Sequence, residues 1–384
     1  MLSLGKQIMI FDGGMGSELA KAGISYTVPE DLNITHAEII QGIHKSYKDA
    51  DFITTNTFGL NRIKYKGNYS ISEVAEKAIE NAKSAGKKVM FDIGPTGALL
   101  KSLGTLEFDE AYDAFKEAVI CSRDEVDGYI VETFSDLYEL KAAVLAVKEN
   151  SDKPVFATMT FDKSGRTLTG TTPEIMVELL EGLGADAVGV NCSLGPNELY
   201  GVIERILNCS HVPVIIQPNR GLPKVENGKT YYDITVEEFT ESVKQYAKMG
   251  VSVIGGCCGT DPDFISSIAR FKGMPVIKRD NPHKAAITSY SAYVELTDGT
   301  EFAELTVDDS VTVADCEDIA YDVLDMVDDG AEVVSITANG SAPDVIKALV
   351  VKIQEYNNVP LRLVSSDEDT TKCFKRYYNG AQNN

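Results

Sequence analysis

Short β-branched runs that end in polar or glycine residues alternate with amphipathic stretches through the first three quarters of the chain. The runs are IMIFDGG (8–14), FITTNTF (52–58), KVMFDIGP (88–95), GYIVETF (128–134), PVFATMTF (154–161), AVGVNCS (187–193), VPVIIQPN (212–219) and VSVIGGCC (251–258). Between them, segments such as SEVAEKAIENAKSAG and VEEFTESVKQYAKMG carry apolar residues three and four apart, which predicts helices. Gly86, Gly184 and Gly250 stand where a helix C′ residue is expected. Strands alternating with helices imply a parallel sheet, and eight units in 1–282 predict a (β/α)8 TIM barrel. A doubly wound open sheet is the runner-up. It lacks support because no G-x-G-x-x-G opens a helix after the first strand.

Periodicity breaks at KRDNPHKAAITSYS (278–291), which places a boundary near 282. Residues 283–384 then predict a small, incomplete α/β domain. AYVEL and EFAEL flank Asp298-Gly299, a hairpin signal. The helix DCEDIAYDVLDMVDDG, strand EVVSIT, helix SAPDVIKALVVKIQEY, strand LRLVS and helix DEDTTKCFKRYY follow.

Charge narrows the partners. The chain has 384 residues and a net charge of -22. Residues 283–384, with 7 basic and 19 acidic residues, carry over half of it. Such a chain repels phosphate backbones and anionic lipid heads, so neither nucleic acid nor a membrane surface is an expected partner. No apolar run approaches the ~20 residues of a membrane-spanning helix. MLSLGKQIMIFDGG reads as a first strand rather than a signal peptide, and a cytoplasmic location is expected. Seven cysteines, an odd number, do not suggest a disulfide framework.

In a (β/α)8 barrel the active site lies at the C-terminal strand ends. Here those ends read Asp12-Gly13-Gly14, Asn56, Asp92, Glu132, Thr160, Asn191-Cys192, Gln217-Pro218-Asn219 and Gly255-Gly256-Cys257-Cys258-Gly259. Cys192, Cys257 and Cys258 would converge at the mouth. Three thiolates and an open position suit a catalytic Zn²⁺. Adjacent Cys257 and Cys258 can face one ion only if the strand ends there, and the flanking glycines permit that. The plain alternative is three buried core cysteines. A sulfur-rich zinc favours a fourth sulfur ligand, so thiol alkylation fits better than hydrolysis. Asp12 and Glu132 could hold an ammonium group. Their structural alternatives are a turn residue and an internal salt bridge, and Asn56 and Asn219 could instead bond loop backbone.

FDGGMGSEL, TNTFG, DIGPTG, VETFSDL, GVNCS, QPNRGLP and GGCCGT, in this order, resemble the homocysteine S-methyltransferase family. TNTFG and QPNRGLP lean towards its cobalamin-dependent branch. The resemblance implies one zinc on Cys192, Cys257 and Cys258. It implies that Asp12 and Glu132 hold the homocysteine amino group, with backbone near Gly13 and Gly14 at the carboxylate. Asn219 matches an asparagine near the metal, and Asn56 joins the substrate residues. DMVDDGAEVVSITANGSAPDV and VPLRLVSSDEDTTKCFKRYYNG resemble the opening of a pterin-binding barrel. Val334 to Asn339 and Val364 replace its polar pattern, so folate binding is not expected. No cobalamin module follows in this sequence, so methylcobalamin would come on a partner corrinoid protein. The alternatives are a small donor, S-methylmethionine or a betaine, and a non-catalytic homocysteine- or zinc-binding subunit.

Overall fold

A computed structural model describes residues 4–222, 224–226, 229–232 and 234–383. Eight parallel strands form the first unit: β1 (Met9–Ile10), β2 (Phe52–Thr54), β3 (Lys88–Ile93), β4 (Gly128–Phe134), β5 (Val155–Met159), β6 (Ala187–Asn191), β7 (Val214–Gln217) and β8 (Val253–Ile254). They pair in sequence order from β2 to β8, and β8 pairs with β1, with Met9 opposite Val253. A parallel bridge between Phe11 and Phe52 closes the ring. The expected barrel is therefore present, each strand inside its expected run.

The interior explains why these runs close. Phe11, Phe52, Met90, Ile130, Phe156, Ala187, Ile215 and Val253 form an inner cluster with Met9. Phe11 and Phe52 stack at 4.7 Å between centroids. This is the packed interior of a barrel rather than a pore. A larger core lies between strands and helices. Capping boxes at Ser70/Glu73 and Thr235/Glu238 start two helices, and Gly86, Gly184 and Gly250 take positive φ at 66°, 76° and 106°.

The remaining residues build a second core around Val307, Ile336, Leu349, Leu361 and Phe374. Ala303–Asp308, Val334–Asn339 and Leu361–Val364 make a three-stranded parallel sheet. The expected hairpin at Asp298-Gly299 is not formed. Tyr293–Glu295 pairs back on Ala286–Ser289 instead, and Ala303–Asp308 joins Val334–Asn339. The turn itself exists, with Thr300 N donating to Thr297 O at 3.0 Å. Ala286–Ser289 is wholly buried, so it offers Tyr293–Glu295 the more buried partner. The strand Gly380–Asn383, unexpected from the sequence, also pairs with Ala286–Ser289.

This second unit sits on the flank of the barrel. Gly380–Asn383 lies against the barrel helix Pro173–Gly182. Tyr138 Oη donates to Tyr377 O at 2.7 Å, and buried Lys141 donates to Tyr378 O. Lys347 pairs with Asp109 at 2.8 Å, and Arg376 with Glu149 at 2.8 Å.

Candidate active site

β8 stops at Ile254, and Gly255 to Gly259 continue as a loop laced to its neighbours. Gly256 N donates to Asp12 O at 3.1 Å, Cys257 N to Pro218 O at 3.0 Å, and Arg220 N to Cys258 O at 2.9 Å. The loop tolerates little bulk. A Cβ on Gly259, where φ is 81°, would stand 2.6 Å from the Tyr232 ring. One on Gly14 would stand 2.7 Å from Cys257 O. Cys192 directly follows β6, its N donating to Gln217 O at 3.0 Å. Cys192 and Ser193 both hold φ near 58°, a left-handed conformation that non-glycine residues rarely adopt.

These backbone turns bring the three thiols together. Their sulfurs lie within 4.8 Å of one another, and Cys192 Sγ is 3.8 Å from Cys258 Sγ. A tetrahedral ion with metal–sulfur bonds of ~2.3 Å spaces its sulfurs by ~3.8 Å, so the set fits such an ion. Protonation points the same way. Hydrogen bonds from Cys192 and then Cys257 draw the Cys258 thiol down to about 3. Cys257 is pushed well above the usual thiol range by its bonds with Cys192 and Cys258 and by burial.

The cavity at the mouth measures about 970 Å³. Asp12, Gly13, Gly14, Asn56, Glu132, Cys192, Cys257 and Cys258 all line it, together with Thr54, Asp92 and Tyr232. Asp12 is 4% exposed; Thr54 N and Thr54 Oγ1 each donate to it at 2.8 Å. Burial nevertheless lifts its acid to about 7, against those bonds. Glu132 sits at a register shift between Val131 and Phe134, next to Thr133 with φ 67°. Such a bulge re-aims a side chain. Burial, then the charges of Cys192 and Asp12, push its acid up to about 8. Among the described residues no cation pairs with Asp12 or Glu132. Lys21, on the rim, is held by Asp261 and Glu18, and Arg220 lies over Phe264.

The two asparagines differ in what they touch. Asn56 lines the cavity, but its Nδ2 donates to Pro29 O at 2.8 Å and so braces a loop. Asn219 is 4% exposed, its Oδ1 lacks a hydrogen-bond partner, and it is not among the residues that line the cavity. Sequence reasoning marked Asn191 only as a strand end. In the structure its Oδ1 accepts from Thr133 N at 2.9 Å and Thr158 Oγ1 at 2.8 Å. Its Nδ2 donates to Thr133 Oγ1 at 2.7 Å and approaches Cys257 Sγ at 3.9 Å. It holds the left-handed Thr133 and one thiol at once. A wholly polar residue at the end of an apolar strand was the available signal.

Fold and site together define a barrel protein with a three-thiol centre and carboxyl groups lining one cavity. Residues 9–271 match the family described as Homocysteine S-methyltransferase. The chain belongs to that family. It is 32% identical over 295 residues to a methionine synthase of Mycobacterium tuberculosis, covering 69% of this chain and 25% of that protein. A methionine synthase of Mycobacterium leprae is 31% identical, covering 70% and 24%. The chain thus spans about a quarter of these relatives' length. The metallated form of the homocysteine methyltransferase MmuM from Escherichia coli superposes with a TM-score of 0.60 at 19% identity. That likeness covers 69% of this chain and 96% of MmuM, and shows the shared fold.

Proposed function

We propose that this protein is a zinc-dependent S-methyltransferase that moves a methyl group to homocysteine and yields methionine. The observation that carries the reading is the convergence of Cys192, Cys257 and Cys258 in a cavity that Asp12 and Glu132 also line. Asp12, fixed by Thr54, and Glu132, turned inward by the β4 bulge, accept hydrogen bonds from the substrate ammonium. Gly13 and Gly14 line the cavity, and their backbone would meet the substrate carboxylate. Cys192, Cys257 and Cys258 would hold the zinc, with Asn219 Oδ1 as the ligand that substrate replaces. Bound zinc would keep the substrate thiol deprotonated at neutral pH. The substrate sulfur forms the new S–CH₃ bond as the carrier–methyl bond breaks.

The methyl carrier in this reading is a methyl-corrinoid, methylcobalamin held by a separate protein. Among the described residues, none beyond Gly259 lines the cavity, so the flanking unit leaves the mouth open to a docking partner. Residues 283–384, which resemble the start of a pterin-binding barrel, are read as a flanking domain without folate activity. The test is methyl transfer to homocysteine from methylated corrinoid protein, methylcobalamin, methyltetrahydrofolate and S-methylmethionine, with metal content measured alongside. Turnover with a corrinoid donor is expected. Turnover with S-methylmethionine alone would move the donor to a small molecule. No turnover with any donor would leave a homocysteine- or zinc-binding subunit.

A further inference from the structure

A metal held by three thiolates is a centre with an excess of negative charge, because the thiolates outweigh one Zn²⁺. A substrate thiolate adds to the excess. Within a protein such a centre needs N–H donors aimed at its sulfurs. Backbone N–H groups of Ser193 and Cys258 act on the sulfurs of Cys192 and Cys258. Cys257 faces a side-chain donor instead, the Asn191 amide, with Nδ2 3.9 Å from Sγ.

Asn191 ends β6, directly before Cys192, and is fully buried. Its amide has one orientation. A backbone N–H can only donate, so the amide atom that accepts from Thr133 N at 2.9 Å is the oxygen. Thr158 Oγ1 donates to the same oxygen at 2.8 Å. The nitrogen is thereby aimed the other way, at Thr133 Oγ1, 2.7 Å off, and at Cys257 Sγ. Two donors meet the oxygen, and the sulfur is the acceptor for the second N–H of the nitrogen. A neutral thiol accepts weakly. A metal-bound thiolate accepts as a charged group, which makes the same contact a charge-assisted hydrogen bond.

We propose that Asn191 is a positioning residue of the metal centre: its locked amide orients Cys257 and donates an N–H···S hydrogen bond to the metal-bound thiolate. The inference rests on the zinc reading of the three thiols.

The test uses the full chain loaded with Zn²⁺ or with Co²⁺. Competition with a chelator reads metal affinity, and the sulfur-to-Co²⁺ charge-transfer band reports electron density on the thiolates. Asn191→Asp keeps the shape and still accepts from Thr133 N and Thr158 Oγ1, but turns an oxygen towards the sulfur. Asn191→Ser is neutral and too short to reach it. In both, Zn²⁺ affinity is expected to fall roughly tenfold to a hundredfold, the usual cost of losing a group that supports a metal ligand. The band should move to longer wavelength in both, because a thiolate without its N–H donor gives up an electron more readily. Should the aspartate variant fold poorly, Asn191→Ser carries the test alone. Lower affinity with the band in place would overturn the proposal in favour of a merely structural role. A shift in Asn191→Asp but not in a folded Asn191→Ser would overturn it in favour of the added charge. So would wild-type affinity in both variants. A wild-type protein that binds no metal would overturn the zinc reading, and this inference with it; tight wild-type binding with indifferent Asn191 variants would overturn only the latter.

Discussion

At the scale of single residues, the site is a set of groups placed against their own solvation preference. Asp12 and Glu132 are acids lifted to about 7 and 8 chiefly by burial, and burial, then the charge of Glu132, pushes Asp92 well above the usual carboxylate range. An ammonium ligand favours the charged forms of Asp12 and Glu132. Affinity for an amino acid without a thiol, such as 2-aminobutanoate, should therefore fall as pH drops from 8 to 6, measured by calorimetry. Stability moves the other way. Between the ordinary carboxyl range and these raised values the folded state binds more protons than the unfolded one, so stability declines as pH rises. Asp92→Asn should raise the melting temperature at pH 8 relative to wild type and leave the two close near pH 4. Glu132→Gln keeps the shape and removes the charge; homocysteine affinity should drop by roughly one to two decades. Cys257→Ala and Cys258→Ala should lose the metal, read by elemental analysis, while the barrel stays folded; full occupancy in both would refute the three-thiol centre. The thiols and both carboxyl residues were legible because the barrel rule points at strand ends. Asn191 and Asp92 were visible as strand ends only, since a residue's partners depend on loops that periodicity does not describe. The left-handed Thr133 was invisible, because threonine gives no local cue for that conformation.

At the scale of elements, the barrel strands were legible because β-branched runs between Gly-capped helices have few other solutions. Gly380–Asn383 was not, because GAQN carries no strand-favouring residue and is recruited by Ala286–Ser289. The Asp298-Gly299 turn shows the converse: a local signal fixed the turn, and burial elsewhere chose the strand partners. The loop after β8 is the element on which the site depends most. Gly259→Ala should cost about 1–2 kcal/mol from the left-handed backbone alone. The Tyr232 contact adds to that, and a lower denaturation midpoint with weakened metal retention is expected.

At the scale of the whole molecule, the flank interface contains a lysine that is 1% exposed and donates to Tyr378 O. Burial, and then Arg376, pull the Lys141 ammonium down to about 7. The unfolded chain thus binds the extra proton between there and the ordinary lysine range, so this group adds stability as pH rises through that window. Lys141→Met should be near neutral or stabilising at pH 7, and its advantage should shrink by pH 9, seen in paired thermal melts. Truncation after Pro282 should keep metal and homocysteine binding while exposing Tyr138 and Lys141 to solvent. The pairing of Ala286–Ser289 with Gly380–Asn383 has a further consequence, for synthesis in time. The barrel is complete when residue 271 has left the ribosome, but the edge that seats the flanking unit is made about a hundred residues later. For that interval a finished barrel trails an acidic, half-built unit whose exposed strand awaits its partner. Chaperone demand and aggregation should therefore concentrate in that late window of translation.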